Sequence, residues 1–293
     1  MKFYIADAFT DQLFGGNPAG VVLIPEGADF LPEEIMRKTA AELRYSETAF
    51  IRALGENRFH LRYFTPAAEV DLCGHATIAS FCVLQSEGLI ESGKTCIAHT
   101  LAGDLEIRIS PESVFMDMGE AKTFGLIDQT DKLEELYGVM GLAAEVPSAG
   151  GQPLYPEMVS TGLTDIMLAV KDEETLAAIR PDFPALSALS DAYGVTGVHA
   201  FTAPDAAGRV HCRNFAPLYD IDEEAATGTS NGALTYYLYR KDLLRAGDEN
   251  LFIQGEAMDR PSKILSRLTE GSDGLRIQVG GSAVILAKGS INL

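Results

Sequence analysis

At 293 residues and 46% hydrophobic content, the chain carries enough apolar material for two lobes, each with a core of its own. Its formal charge of −19 repels phosphate backbones and anionic headgroups, which makes nucleic acid and membrane surfaces poor partners. The opening "MKFYIADAF" alternates like a strand and holds no apolar signal core, and no later apolar run approaches membrane-spanning length, so a cytoplasmic protein is expected.

The first half predicts strands at 2–9, 19–24, 46–53, 58–65, 94–99, 103–109 and 113–117, interrupted by helices at about 32–42 and 75–87. After "MDMGEAKTFG" the pattern restarts. A helix over 130–139 is followed by the Gly/Pro-rich "SAGGQPLYP", strands at 157–161 and 165–170, a helix at 183–193, strands at 196–203 and 209–215, and a strong helix from about 228 to 241.

The second half repeats the first in residues as well as in order. "LRYFTP" and "CRNFAP" place Arg62, Phe64 and Pro66 against Arg213, Phe215 and Pro217, each pair 151 residues apart and at the end of an alternating strand. A glycine then opens a helix in each half, Gly74 in "CGHATIASFCVL" and Gly228 in "TGTSNGALTYYL". Two lobes grown from one ancestral unit account for both repeats, and an α+β fold is expected.

A strand, a small polar loop and a helix start direct backbone N–H groups and a positive dipole end at the loop, which suits a carboxylate or phosphate. Neither loop reads as a P-loop or a GxGxxG fingerprint, so small organic acids fit better than nucleotides. Cys73, Cys82, Cys96 and Cys212 lack metal-ligand spacing, and His60, His75, His99, His199 and His211 stand singly with no HExxH. Neither a metal nor an organic cofactor is expected.

The titratable groups near the turns are Asp71, Cys73 and His75 at the first and Asp222, Glu223 and Glu224 at the second, with Glu47 upstream in "YSETAFI". Glu47 sits beside Ala49, Phe50 and Ile51, where a partly buried carboxyl binds its proton more tightly, as a general acid/base requires. Residues alone leave alternatives open: an exposed strand-end glutamate at Glu47, a capping or packing imidazole at His75, and a buried structural thiol at Cys73.

Six stretches taken together resemble the PhzF-like proteins, named for the isomerase of phenazine biosynthesis, within the diaminopimelate-epimerase-like fold. They are "DAFTDQLFGGNPAGVVL", "SETAFI", "RYFTPAAEVDLCGHATIAS", "RNFAPLYDIDEEAATGTSNGAL", "QGEAMDRPSKI" and "VGGSAVILAKG", in family order along nearly the whole chain. The resemblance implies two pseudo-symmetric lobes, 1–118 plus 283–293 and 119–282, each a mostly antiparallel sheet wrapped around a central helix, with the active site in the cleft between them. It implies a homodimer and a cofactor-independent isomerase whose glutamate, Glu47, moves a proton between carbons of an unsaturated or amino-substituted acid. His75 would orient the substrate, Gly74 and Gly228 would hold its carboxylate through backbone N–H groups, and Asn17, Cys73, Glu224 and Thr229 would complete the substrate site.

Two features depart from the family pattern. Its second loop usually reads EDPxTGS, whereas "EEAATGT" puts Glu224 in place of an aspartate and Ala225 in place of a proline, so the carboxylate moves outward by about 1.3–1.5 Å. The alternative within the same fold is a two-thiol racemase or epimerase. Cys73 stands where its first thiol would be, but Thr227 stands where the second would be, and a threonine hydroxyl is too weak a base for a carbon-bound proton. A third reading is a small-acid-binding protein that has kept the fold and lost the reaction.

Overall fold

A computed structural model describes residues 1–271 and 274–293, which divide into two units, Met1–Asp117 with Gly280–Leu293 and Met118–Val279. In the first unit, β1 (Lys2–Ala8) pairs antiparallel with β2 (Asn17–Leu23) on one side and with the last strand, Ala283–Ser290, on the other. With both edges occupied β1 is a central strand, which is why Tyr4, Ala6, Asp7 and Ala8 are all buried. Helix α1 (Glu33–Leu43) ends at Arg44, whose left-handed φ of 60° turns the chain toward Glu47 and β3 (Thr48–Gly55).

Strand β3 runs parallel to β2 and antiparallel to β4 (Arg58–Phe64). The short β5 (Glu69–Val70) folds back on the end of β4, pairing Phe64 with Glu69. Then comes α2 (Gly74–Ser86), followed by β6 (Thr95–Thr100), parallel to β4, and the antiparallel β7 (Gly103–Ile109) and β8 (Val114–Asp117). Nine of the thirteen residues of α2 are buried, from His75 to Leu84, so it is the unit's central helix, and its pattern is apolar all round rather than on one stripe.

The second unit starts with β9 (Lys122–Leu126), α3 (Thr130–Val139) and a small hairpin of β10 (Ser148–Ala149) and β11 (Gln152–Pro153). From there the connectivity of the first unit recurs pairing by pairing. Strands β12 (Glu157–Ser160) and β13 (Thr164–Val170) are antiparallel like β1 and β2, and after α4 (Glu173–Ala178) and α5 (Phe183–Tyr193), β14 (Gly197–Thr202) is parallel to β13 as β3 is to β2. Strand β15 (Arg209–Ala216) lies antiparallel to β14, the short β16 (Ile221–Glu224) folds back on it, and α6 (Gly228–Arg240) follows as the second central helix. Strand β17 (Glu249–Gln254) is parallel to β15 and antiparallel to β18 (Ser262–Gly271), with β19 (Gly274–Gly281) last.

The repeated arginine and phenylalanine serve the same purpose in each unit. Arg62 Nε and Nη2 donate to the two carboxylate oxygens of Glu69 at 2.7 and 2.5 Å, and Arg213 forks onto Glu223 with both bonds at 2.8 Å. Each guanidinium also lies over the phenylalanine two residues on, 5.2 Å from the Phe64 ring centre and 4.9 Å from that of Phe215. The clamped carboxylate stands five residues ahead of the helix-opening glycine in both cases.

Arg213 is the more buried of the two, 8% exposed against 20%, and its Nη1 also donates to the carbonyls of Leu176 and Ile179 at the end of α4. Removing it strands a buried carboxylate and two carbonyls. Arg213→Ala is therefore expected to lower the unfolding free energy by about 3–5 kcal/mol, measured by urea denaturation, and the apolar pair Arg213→Met with Glu223→Leu to recover most of that loss.

Candidate active site

In the first unit, three elements bring polar groups onto one imidazole. The Glu47 carbonyl accepts from the Gly20 amide at 3.2 Å, which pins the start of β3 to β2 and fixes where the Glu47 side chain leaves the sheet. Helix α2 begins one residue after Cys73, and His75 is the second residue of that helix. Asn17 opens β2.

The resulting geometry is close. His75 Nε2 lies 3.3 Å from Glu47 Oε2 and 3.4 Å from Ser46 Oγ, and His75 Nδ1 lies 3.3 Å from Asn17 Nδ2 and 3.4 Å from Cys73 Sγ. His75 is 4% exposed and Glu47 16%. Although near the imidazole, Glu47 Oε2 makes no hydrogen bond and is itself buried, so the contact is one of proximity. An anionic oxygen buried without a donor is costly unless function requires it.

Burial lowers the proton affinity of His75, and the nearby Glu47 charge opposes that only in part, so the ring is neutral near pH 7. With Asn17 donating to Nδ1, the ring proton is assigned to Nε2, facing Ser46 and Glu47.

The start of α2 is held from within. Thr77 donates through both its amide and its hydroxyl to the Cys73 carbonyl, at 3.0 and 2.6 Å, and its hydroxyl meets Tyr63 Oη at 2.7 Å. Cys73 gives the helix no side-chain cap, so the first turn keeps its positive end for a ligand. A side chain at Gly74 would press on the Met116 methyl at 3.0 Å.

The second unit builds its glycine turn in the same manner. Asn231, three residues after Gly228 as Thr77 is three after Gly74, donates its amide and side chain to the Thr227 carbonyl at 3.2 and 2.9 Å. The added member is Gln254, at the end of β17. Its Nε2 donates to the Glu224 carbonyl at 2.7 Å and to Thr227 Oγ1 at 3.1 Å, and its Oε1 accepts from the Thr227 amide and Asn231 Nδ2 at 3.3 and 2.9 Å. Since Thr227 Oγ1 receives that proton, its own proton points to Glu224 Oε2, 2.6 Å away. The longer arm of Glu224 thus ends on Thr227, and Thr229 is half-buried in the first turn of α6.

The structure therefore gathers Asn17, Glu47, Cys73, Gly74 and His75 in the first unit, and Glu224, Gly228 and Thr229 around one turn in the second. Sequence reasoning gave no role to Gln254 or Ser262. The signal was present in "QGEAMDRPSKI": after Gln254, Gly255 adopts φ +80° with its Cα side against the Ala225 carbonyl, which Ser262 Oγ also binds at 2.7 Å. That motif is the brace of the second turn.

The chain is similar to known proteins along nearly its whole length. Residues 6–289 match the family described as phenazine biosynthesis-like protein. An uncharacterized isomerase of Clostridium acetobutylicum is 33% identical over 306 residues, spanning 100% of this chain and 98% of the relative. The crystal structure of a PhzF-family phenazine biosynthesis protein from Bacillus anthracis matches with a TM-score of 0.86 at 26% identity, covering 100% of this chain and 99% of that one. A probable proline racemase from Agrobacterium radiobacter, at 12% identity and a TM-score of 0.62 over 100% of this chain and 93% of that one, shares the fold, which is the diaminopimelate-epimerase-like α+β fold. No helix among the described residues is long and apolar enough to cross a membrane.

Two measurements test the site's electrostatics and its brace. Below His75's ordinary value of 6.5 the unfolded chain takes up a proton that the folded ring resists, so this residue's contribution to stability is lost as pH falls. Glu47→Gln removes the charge that favours the imidazolium, and nitrogen-15 NMR is expected to show His75 titrating at still lower pH. Gln254→Leu removes four hydrogen bonds at once, although Asn231 Nδ2 and Thr227 Oγ1 each keep one other partner, and the unfolding free energy is expected to drop by about 2–3 kcal/mol.

Proposed function

Because the chain belongs to the phenazine biosynthesis-like protein family, we propose that it is a cofactor-independent isomerase in which Glu47 moves a proton between two carbons of a small carboxylic acid. The supporting observation is the buried Glu47 Oε2, which has no hydrogen-bond donor and lies 3.3 Å from a neutral imidazole. A carboxylate so placed has a lone pair available to take a carbon-bound proton, leaving the electron pair on a substrate whose unsaturation or amino substituent, together with its carboxylate, spreads the charge. Returning the same proton to a second carbon completes the shift and regenerates the carboxylate, so no redox partner enters the balance.

In this reading the other groups position the substrate. The positive end of α2, beginning at Gly74, and that of α6, beginning at Gly228, offer backbone N–H groups to carboxylate oxygens. Neutral His75 donates through Nε2 or yields its place to a substrate oxygen, while Asn17 keeps the ring oriented. Cys73 forms part of the wall in the first unit, and Glu224 and Thr229 flank the equivalent glycine turn of the second.

The Thr227 geometry weighs against the two-thiol racemase. Its hydroxyl is held as an acceptor by Gln254 and as a donor by Glu224, so it has no free lone pair directed by a base and no acidity to match a thiol. The second unit then supplies binding rather than a second base.

A panel of small unsaturated and amino-substituted carboxylic acids incubated in deuterated water, read by mass shift and NMR, tests the function without the product being known. With an acid found in this way, Glu47→Gln is expected to reduce turnover by about 10²–10⁴ while ligand-induced shifts persist. A glutamine variant retaining more than about a tenth of the rate while His75→Ala is inactive but still binds would assign the proton to His75 instead.

A further inference from the structure

The three side chains at the first glycine turn are also three metal donors of the kinds that zinc prefers. Glu47, Cys73 and His75 each present one ligand atom, and the three atoms lie within 4.8 Å of one another. Around a tetrahedral zinc ion, bond lengths of about 2.0–2.1 Å to nitrogen, 2.0–2.2 Å to oxygen and 2.3 Å to sulfur put donors about 3.4 Å (N to O) and about 3.6 Å (N to S) apart. His75 Nε2 lies 3.3 Å from Glu47 Oε2, which sets that edge, whereas Cys73 Sγ lies 3.8 Å from Nε2 and only 3.4 Å from Nδ1, so the thiol has to swing from beside the ring toward Nε2 to reach the ion. The sulfur-to-oxygen edge, within 4.8 Å, requires both side chains to rotate on binding.

Two further features fit an ion. Glu47 Oε2 is a buried anionic oxygen with no hydrogen bond, the group whose desolvation a cation offsets. Asn17, 3.3 Å from Nδ1, supplies the outer partner that metal-bound histidines use to fix their tautomer: zinc takes the Nε2 lone pair, the ring proton moves to Nδ1, and the amide turns its oxygen to receive it. A carboxylate and a thiolate then neutralise the dication.

We propose that Glu47, Cys73 and His75 form a zinc-class cation site, and that occupancy blocks the reaction by tying up the proton-carrying carboxylate. This departs from the sequence expectation of no metal, because the ligands come from a strand start and a helix start with no recognisable spacing. Binding stands on the donor geometry alone, whereas the block rests on Glu47 acting as proposed above. The thiol proton leaves on binding, so one proton is released per ion. Hard cations such as magnesium, which require oxygen ligands, are expected to be excluded.

The test titrates the intact chain with zinc, and with cobalt(II) as a spectroscopic stand-in, in excess magnesium that saturates surface carboxylates. Expected are one tightly bound equivalent, a thiolate-to-cobalt charge-transfer band with the intense visible bands of a tetrahedral ion, and release of one proton. Cys73→Ser and His75→Ala are expected to weaken binding by at least about 100-fold, and His99→Ala, at an exposed histidine paired with Asp104, to leave it unchanged. Absence of a saturating equivalent, a bound ion without the thiolate band, or equal affinity in Cys73→Ser overturns the site. The cobalt spectrum of the unsubstituted chain decides the matter even if a variant fails to fold.

Proton exchange in deuterated water, stopped by one equivalent of zinc and restored by a chelator, supports the block. Exchange that continues with zinc bound overturns it. A chain that binds zinc but exchanges no proton when metal-free refutes the isomerase reading and leaves the site standing.

Discussion

The structure turns on an arginine fork that closes a strand corner just before each central helix. Arg62 on Glu69 and Arg213 on Glu223 hold the return of a short strand against its neighbour, and the helix starts five residues beyond the clamped carboxylate. With the corner fixed, the direction in which the helix presents its first turn is fixed as well. The final adjustment is a side chain three residues into each helix that bonds the carbonyl before the glycine, Thr77 in one unit and Asn231 in the other. Different residues make the same bond, which indicates that the position of the turn, rather than the side chain that holds it, is what both units preserve.

Much of this was legible in the sequence, and the limits are physical. The central helices were read to within about two residues because Gly74 and Gly228 mark their starts and apolar residues fill every face. Strand β9 was not read because all five of its residues are exposed, so burial imposes no alternation on it. Strand β18 was missed for the opposite reason. Its buried positions include Ser262 and Ser266, which bond the Ala225 carbonyl and Thr235, and a hydrophobicity pattern registers buried serines as solvent-facing. At the candidate site, the residues themselves singled out Glu47 and His75 and the family resemblance gave them their expected roles, while Gln254 went unassigned because its four partners meet only in three dimensions.

The two units differ where their chemistry differs. In the first, Glu47 Oε2 is left without a donor beside a neutral ring, an arrangement that keeps a base reactive. In the second, every proton has a direction: Gln254 gives to Thr227, and Thr227 gives to Glu224. A donor chain of this kind stabilises the carboxylate it ends on and quenches the hydroxyl within it. The asymmetry is what the proposed one-base reaction calls for: one unit carries an unpaired carboxylate and the other a hydroxyl whose proton is already committed.

The proposed binding of a small acid by a chain of net charge −19 poses an apparent contradiction, which the distance scales resolve. At physiological ionic strength the screening length is about 8 Å, so most of the surface charge does not reach a bound ligand. What acts at contact distance in the proposed sites is the partial charge at the starts of α2 and α6, with no side-chain cap drawn from Cys73 or Thr227 to compete for it. Backbone dipoles bind an anion without placing a lysine or arginine beside Glu47, where a full positive charge would lower the carboxylate's affinity for the proton it has to take. In the proposed mechanism, binding by dipoles and catalysis by an unpaired carboxylate are thus two consequences of one requirement, that no cationic side chain compete with the substrate's proton for Glu47, and a bound zinc ion blocks the reaction by breaking that requirement.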